Sequence, residues 1–184
     1  ADVETVLQAA LRSGIAALLV GALLLWRGGW LAVGRETLGA GLLAGVLFAL
    51  EFLFIALGLR YTSASHMAVF LYTSPIFSAL GLHLLLPSER LQPLHWLGIG
   101  LCFTGILAAF GGSLAGATLD RNMLIGDLCG LLAGLCWGLT TVVVRASRLS
   151  EAPAALTLFY QLAVAFVLLA LLDGLGIEAV PAAV

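Results

Sequence analysis

The sequence has no lysine, and charge of either sign is scarce. All eight basic residues are arginine, ten residues are acidic, and together they make up 10% of the 184 residues. A soluble domain carries about 25% charged residues. This chain is instead 62% hydrophobic, which excludes the soluble class. With a formal net charge of −2 and no basic cluster, nothing points to a nucleic-acid partner. Cysteine is nearly absent as well. Cys102, Cys129 and Cys136 all fall in apolar runs. Cys129 and Cys136 share one helix face, seven residues apart, and cannot bridge. They read as small buried side chains, without zinc spacing. The sequence calls for no metal and no cofactor.

Enzyme signatures are missing too. There is no HExxH motif. Gly126-Asp127 resembles part of an intramembrane aspartyl protease motif, but Leu124 stands where the upstream glycine belongs, and no Tyr-Asp pair supplies a second aspartate. Gly98-Ile99-Gly100 lacks the third glycine of a dinucleotide loop. Ser65 and His66 are neighbours in sequence, which does not supply nucleophile–base geometry. The expectation is therefore that the chain is not an enzyme. Its first residue is not methionine, and Asp2 and Glu4 precede the first apolar run, whereas a signal peptide opens with positive charge. This predicts a chain that starts inside a longer protein.

What the sequence does have is long apolar runs. Six of them, called A to F, cover Val6–Trp26, Leu38–Leu59, His66–Leu86, His95–Phe110, Leu124–Val144 and Ala155–Leu172. Crossing ~30 Å of hydrocarbon takes about 20 residues of helix. A β-barrel would show alternating segments of about 10 residues; these runs are continuous and rich in Leu, Ala and Gly. A helix also satisfies its own backbone in lipid. The predicted fold is an all-α polytopic transmembrane bundle of six spans.

The arginines suggest an orientation. Connections A–B, C–D and E–F hold Arg27, Arg35, Arg90, Arg145 and Arg148; the other side holds Arg60, Arg121 and Arg12. The positive-inside rule puts the first set in the cytoplasm. Asp2, Glu4, Asp120, Asp127, Asp173 and Glu178 then lie on or near the outer side. Trp26, Trp30 and Trp96 read as interface anchors, and His66, His83 and His95, near span ends, as interfacial. The longest outer connection, about Gly111 to Met123, divides the chain into two units.

Small residues and one proline mark the packing. Gly126, Gly130, Gly134 and Gly138 recur every four residues in span E, and Gly41 and Gly45 repeat the spacing in span B. Such stripes let helices approach closely where lipid gives no hydrophobic drive, either within one chain or in a homodimer. Pro75, in Tyr72-Thr73-Ser74-Pro75 of span C, frees the carbonyl of Leu71. The expected result is a kink, with Thr73 and Ser74 at hand to satisfy the carbonyl, or a kink that also shapes a cavity.

Glu51 is the most informative residue. It lies deep in span B, where a charged side chain costs roughly 2.5–3.5 kcal/mol. It therefore faces a bundle interior or a watery cavity, and it is a candidate to exchange a proton during transport. Arg12, inside the outer end of span A, is its expected ion-pair partner; snorkelling to the interface is the other reading. Tyr160 and Gln161 interrupt span F, and Trp137 lies beside Gly138, too deep for an interface belt. Sliding span A onto span F sets Arg12 over Gln161, but the identities on that alignment are no more than Leu/Ala-rich helices give by chance.

The order of motifs is more specific than any one of them. Ala56-Leu57-Gly58-Leu59-Arg60-Tyr61-Thr62-Ser63-Ala64-Ser65 leads into a span with Ser74-Pro75. Glu89-Arg90-Leu91, Trp96-Leu97-Gly98 and Gly105 follow, and Cys136-Trp137-Gly138 marks a new unit. This resembles the EamA-type branch of the drug/metabolite transporter superfamily. The resemblance implies ten helices in two inverted five-helix repeats that carry small metabolites, often amino acids. On that plan residues 1–112 are the remainder of a first repeat, with helices two to five, and residues 113–184 begin a second, with helices six and seven. The first and the last three helices lie outside the chain.

Two functions are carried forward. The first is a secondary transporter of the inner or plasma membrane, moving a small polar metabolite such as an amino acid by alternating access. Arg12, Glu51 and Gln161 line its path, and Tyr72, Ser74, Pro75, Trp137 and Tyr160 shape it. The second is a non-transporting scaffold or subunit that uses the glycine stripe to bind partner helices.

Overall fold

The computed structural model describes residues 5–28, 34–115 and 121–175. Among them regular structure is entirely helical: α1 Thr5–Trp26, α2 Arg35–Gly58, α3 Ala64–Leu71, α4 Ser74–Leu85, α5 Pro93–Ala115, α6 Arg121–Arg145 and α7 Ala154–Gly174. Helices α1, α2, α6 and α7, and the α3–α4 pair taken together, are each long and apolar enough to cross a membrane. They coincide with spans A, B, E, F and C. Span D falls on α5, a helix of 23 residues. The chain is a multi-pass helical membrane protein. The expectations for Asp2, Glu4, Trp30, Asp120 and Glu178 lie outside the described residues.

Two local expectations change. Span C is interrupted where the kink was expected: Tyr72 and Thr73 separate α3 from α4, and their backbone stays near the helical region (φ −70°, ψ 1° and φ −75°, ψ −11°). The Tyr72 N–H closes α3 on the Ala68 carbonyl at 2.9 Å, and the Ile76 N–H opens α4 on the Thr73 carbonyl at 2.9 Å. Pro75 sits in the first turn of α4, where its missing donor costs nothing. Thr73 Oγ1 donates to the Phe70 carbonyl at 2.5 Å, so the hydroxyl serves a carbonyl one residue earlier than expected. The connection predicted at Gly111–Met123 is largely helix: α5 runs to Ala115 and α6 starts at Arg121.

Packing does not follow chain order. Helix α1 packs on α7, α7 on α2, α2 on α6, and α6 on α3 and α4; α5 makes its main contact with α3. The two helices after residue 120 are thus inserted among those before it. The glycines show how. A Cβ added to Gly126 would meet Thr62 Cβ at 2.6 Å, and one on Gly130 Phe70 Cβ at 2.9 Å. One on Gly134 would meet the Phe70 carbonyl at 2.8 Å, and one on Gly138 Phe77 Cβ at 2.6 Å. The whole stripe is buried against α3, α4 and the turn before them, which is the intrachain use of small residues. Gly41 and Gly45 face Tyr160 and Val164 of α7, and Gly14 and Gly21 face Phe166 and Phe159.

These pairs also give directions. Residue numbers rise together between α2 and α7 (41 with 160, 45 with 164) and run oppositely between α1 and α7 (14 with 166, 21 with 159). Successive spans therefore alternate in direction. One end of the bundle gathers the α4–α5 and α6–α7 connections and the start of α2, through Arg145–Glu89 at 2.8 Å and Arg148–Glu36 at 3.6 Å. Glu151 also holds Arg148 at 2.9 Å; that hydrogen bond first, then the charges of Glu151 and Glu36, raise the Arg148 pKa. The opposite end holds the α2–α3 turn and the start of α6.

Candidate functional site

Three helix faces enclose a cavity of about 630 Å³. Helix α2 contributes Phe48 and Glu51; α6 contributes Trp137, Thr140, Thr141, Val144 and Arg145; α7 contributes Ala154, Thr157, Leu158 and Gln161. Leu149, Ser150 and Ala152 of the α6–α7 connection complete it at the arginine-rich end. The α6 and α7 sets recur at three- and four-residue steps, so each is one helix face. From Trp137 to Arg145 the wall climbs eight residues, about 12 Å of helix.

Glu51 is 7% exposed. Its Oε2 is sealed from solvent without a hydrogen-bond partner, and among the described residues no basic side chain forms an ion pair with it. The expected Arg12 pair does not form. Arg12 instead lies over the Phe52 ring, 4.8 Å from its centroid, in cation–π contact. Phe52 meets Phe48 edge to face at 4.9 Å, so Arg12 backs the cavity wall through two rings rather than entering the cavity. Phe52 follows Glu51 in sequence and is about 100° further round the helix, and a guanidinium on one is directed away from the other.

Three hydroxyls of the site donate their protons to backbone carbonyls. Thr140 Oγ1 donates to the Cys136 carbonyl at 2.9 Å, and Thr141 Oγ1 to the Trp137 carbonyl at 3.3 Å. Ser150 Oγ donates to the Ser147 carbonyl at 2.8 Å. These bonds to the preceding turn leave oxygen lone pairs as what the hydroxyls offer. Arg145, at the mouth, directs Nε and Nη2 onto Glu89 Oε1 at 3.1 and 2.8 Å.

Of the residues singled out from the sequence, the structure brings Glu51, Trp137 and Gln161 together. Tyr160 is buried with its hydroxyl unpartnered, its ring against Gly41 rather than in the cavity lining. Ser74 is buried on the α6 side, its carbonyl close to Gly138. Tyr72 and Pro75 line a separate depression between α4 and α5, with His95, Cys102 and Phe103. Phe48, Thr140, Thr141 and Thr157 went unrecognised, although stepping three and four residues from Trp137 and from Gln161 reaches all three threonines.

A second polar cluster sits at the end of the bundle with the α2–α3 turn, where His66 is packed inward rather than left exposed. His66 is 4% exposed, and its Nδ1 lies 3.3 Å from Asp127 Oδ1. Thr62 Oγ1 donates to the same oxygen at 2.9 Å. A charge on α6 and a ring on α3 are buried together because the glycine stripe draws those helices close. His83 and His95 are helix-end residues as expected, accepting from the N–H groups of Leu91 at 2.9 Å and Gln92 at 3.0 Å.

Comparison with known proteins agrees with this architecture. The model of the EamA-like transporter family matches residues 1–111. The chain is 27% identical over 142 residues to a Bacillus subtilis (strain 168) protein described as the uncharacterized transporter YoaV, covering 77% of this chain and 48% of that protein. The chain thus spans about half the length of the relative it matches. No solved structure matches it. On a family match that takes in more than half of its residues, the chain belongs to the EamA-like transporter family.

Proposed function

We propose that this chain forms part of a secondary transporter that carries a small polar metabolite across the inner or plasma membrane by alternating access. The observation that carries the reading is the cavity between α2, α6 and α7, with a buried carboxylate that no basic side chain among the described residues pairs with. A charge kept at membrane depth at such cost marks a solute or ion path. The cavity leads from Glu51 to the arginine-rich end, which the positive-inside rule assigns to the cytoplasm. Its walls come from both sides of residue 113, as two repeat units sharing one site would require. The scaffold alternative rested on the glycine stripe, and that stripe is occupied within the chain.

The test is flux through the full-length protein in proteoliposomes, with a panel of amino acids and related amines. Flux that Glu51→Gln lowers more than tenfold, with unchanged protein in the membrane, is the expected result. Absence of flux for every compound in both directions would overturn the reading.

A further inference from the structure

The cavity has an unbalanced chemistry. It offers acceptors: the Glu51 carboxylate, and the oxygens of Thr140, Thr141 and Ser150, whose protons are spent on backbone carbonyls. Its neutral groups are the Gln161 amide and the Thr157 hydroxyl, which can donate or accept, and the Trp137 indole N–H, which only donates. Arg145, the lining cation, is at the mouth, away from Glu51, with Nε and Nη2 bonded to Glu89 Oε1. A guest that supplies several donors and one positive charge would satisfy these groups; a guest with a carboxylate of its own would not. An ammonium has three donors and no acceptor. Trp137 is 40% exposed and, with Phe48, supplies ring faces that suit a cation and an apolar body. The volume of about 630 Å³ is that of a small-molecule site.

We propose that the cavity is selective for small organic cations bearing one protonated amine, held by the Glu51 carboxylate, over zwitterionic or neutral analogues. This rests on the reading of the cavity as the substrate site and narrows its substrate class.

The test uses three analogues on the full-length protein in nanodiscs, measured by calorimetry at neutral pH: phenethylamine, phenylalanine and 2-phenylethanol. A hydrogen bond to a charged group and its loss correspond to roughly 10- to 100-fold in affinity. Phenethylamine is expected to bind about that much more tightly than either of the other two. Glu51→Gln is expected to bring it within about threefold of 2-phenylethanol measured on the same variant. Phenylalanine binding as tightly as the amine, no saturable amine binding, or an amine affinity indifferent to Glu51→Gln would each overturn the proposal. If Glu51→Gln does not fold, the ranking on the unmodified protein decides, with Glu51→Asp expected to keep the preference for the amine. Transport is scored separately. Amine binding that depends on Glu51, without flux of any compound, upholds the cation site and rejects the transport reading. Flux of amino acids without amine binding does the reverse.

Discussion

Adding one methyl group at Gly138 tests the packing on which the cavity rests. A Cβ there would lie 2.6 Å from Phe77 Cβ, 2.9 Å from the Ser74 carbonyl and 3.1 Å from the Ser78 amide, where ordinary contact begins at 3.4 Å. Helix α6 must then retreat from α4 by 0.5 to 0.8 Å, the shortfalls of 3.4 − 2.9 and 3.4 − 2.6. The obstacle is mostly backbone, so a side-chain rotation cannot relieve it. A gap of that size forfeits a quarter to a half of the attraction of each contact along the seam, and overpacking of this kind costs about 1–3 kcal/mol. Alanine also gains about 1 kcal/mol over glycine in a helix. Gly39 of α2 has nothing within 4 Å of its added Cβ, so Gly39→Ala reports that gain alone. In reversible SDS unfolding of the full-length protein, Gly138→Ala should be less stable than Gly39→Ala by about 1–3 kcal/mol. Equal stability of the two variants would refute the claim that the stripe is a close intrachain contact.

Two further outcomes follow from buried polar groups. Asp127→Ala leaves the buried His66 ring and the Thr62 hydroxyl without their partner and should cost about 1–3 kcal/mol in the same unfolding assay; Asp127→Asn, which keeps an acceptor for Thr62, should cost less, and a reversed order would contradict the cluster. Tyr160→Phe removes a buried hydroxyl with no partner and should be neutral or stabilising by up to about 1 kcal/mol, whereas a large loss would show that the hydroxyl is bonded.

The spans were legible because length and continuity of apolar sequence are dictated by the bilayer. α1, α2, α6 and α7 begin and end within a few residues of the runs that announced them. Glu51 was legible for the same reason, since a carboxylate in such a run needs a compensating environment. Its surroundings were not. The Arg12 pairing failed by direction rather than by distance: α1 and α2 meet at Arg12, but the α2 residue beneath the guanidinium is Phe52, about 100° round the helix from Glu51. The partner of His66 was not legible because it is 61 residues away, and the α3–α6 contact brings the two together. The interruption at Tyr72–Thr73 was legible, since proline announced a disturbance there; that the Thr73 hydroxyl would bond the Phe70 carbonyl rather than that of Leu71 was not.

The glycine spacing explains both the closed end of α6 and the open one. Four residues advance about 400° around a helix, or about 40° past a full turn. The contact ridge Gly126, Gly130, Gly134, Gly138 continues to Val142, which meets Gly81 of α4. Over those four steps the ridge winds about 160° around α6, and α3–α4 follow it. Trp137, Thr141 and Val144 lie about 20°, 60° and 0° from the azimuth of Gly126. They occupy, near the arginine-rich end, the sector that Gly126 and Gly130 fill against Thr62 and Phe70 at the other end. Helix α4 has left that sector by then, and the cavity stands there instead. A seven-residue repeat would have kept α3–α4 alongside the same sector for the whole length of α6. The four-residue spacing thus turns the close-packed seam away from Trp137, and it leaves room for the cavity that Glu51 and Trp137 both line.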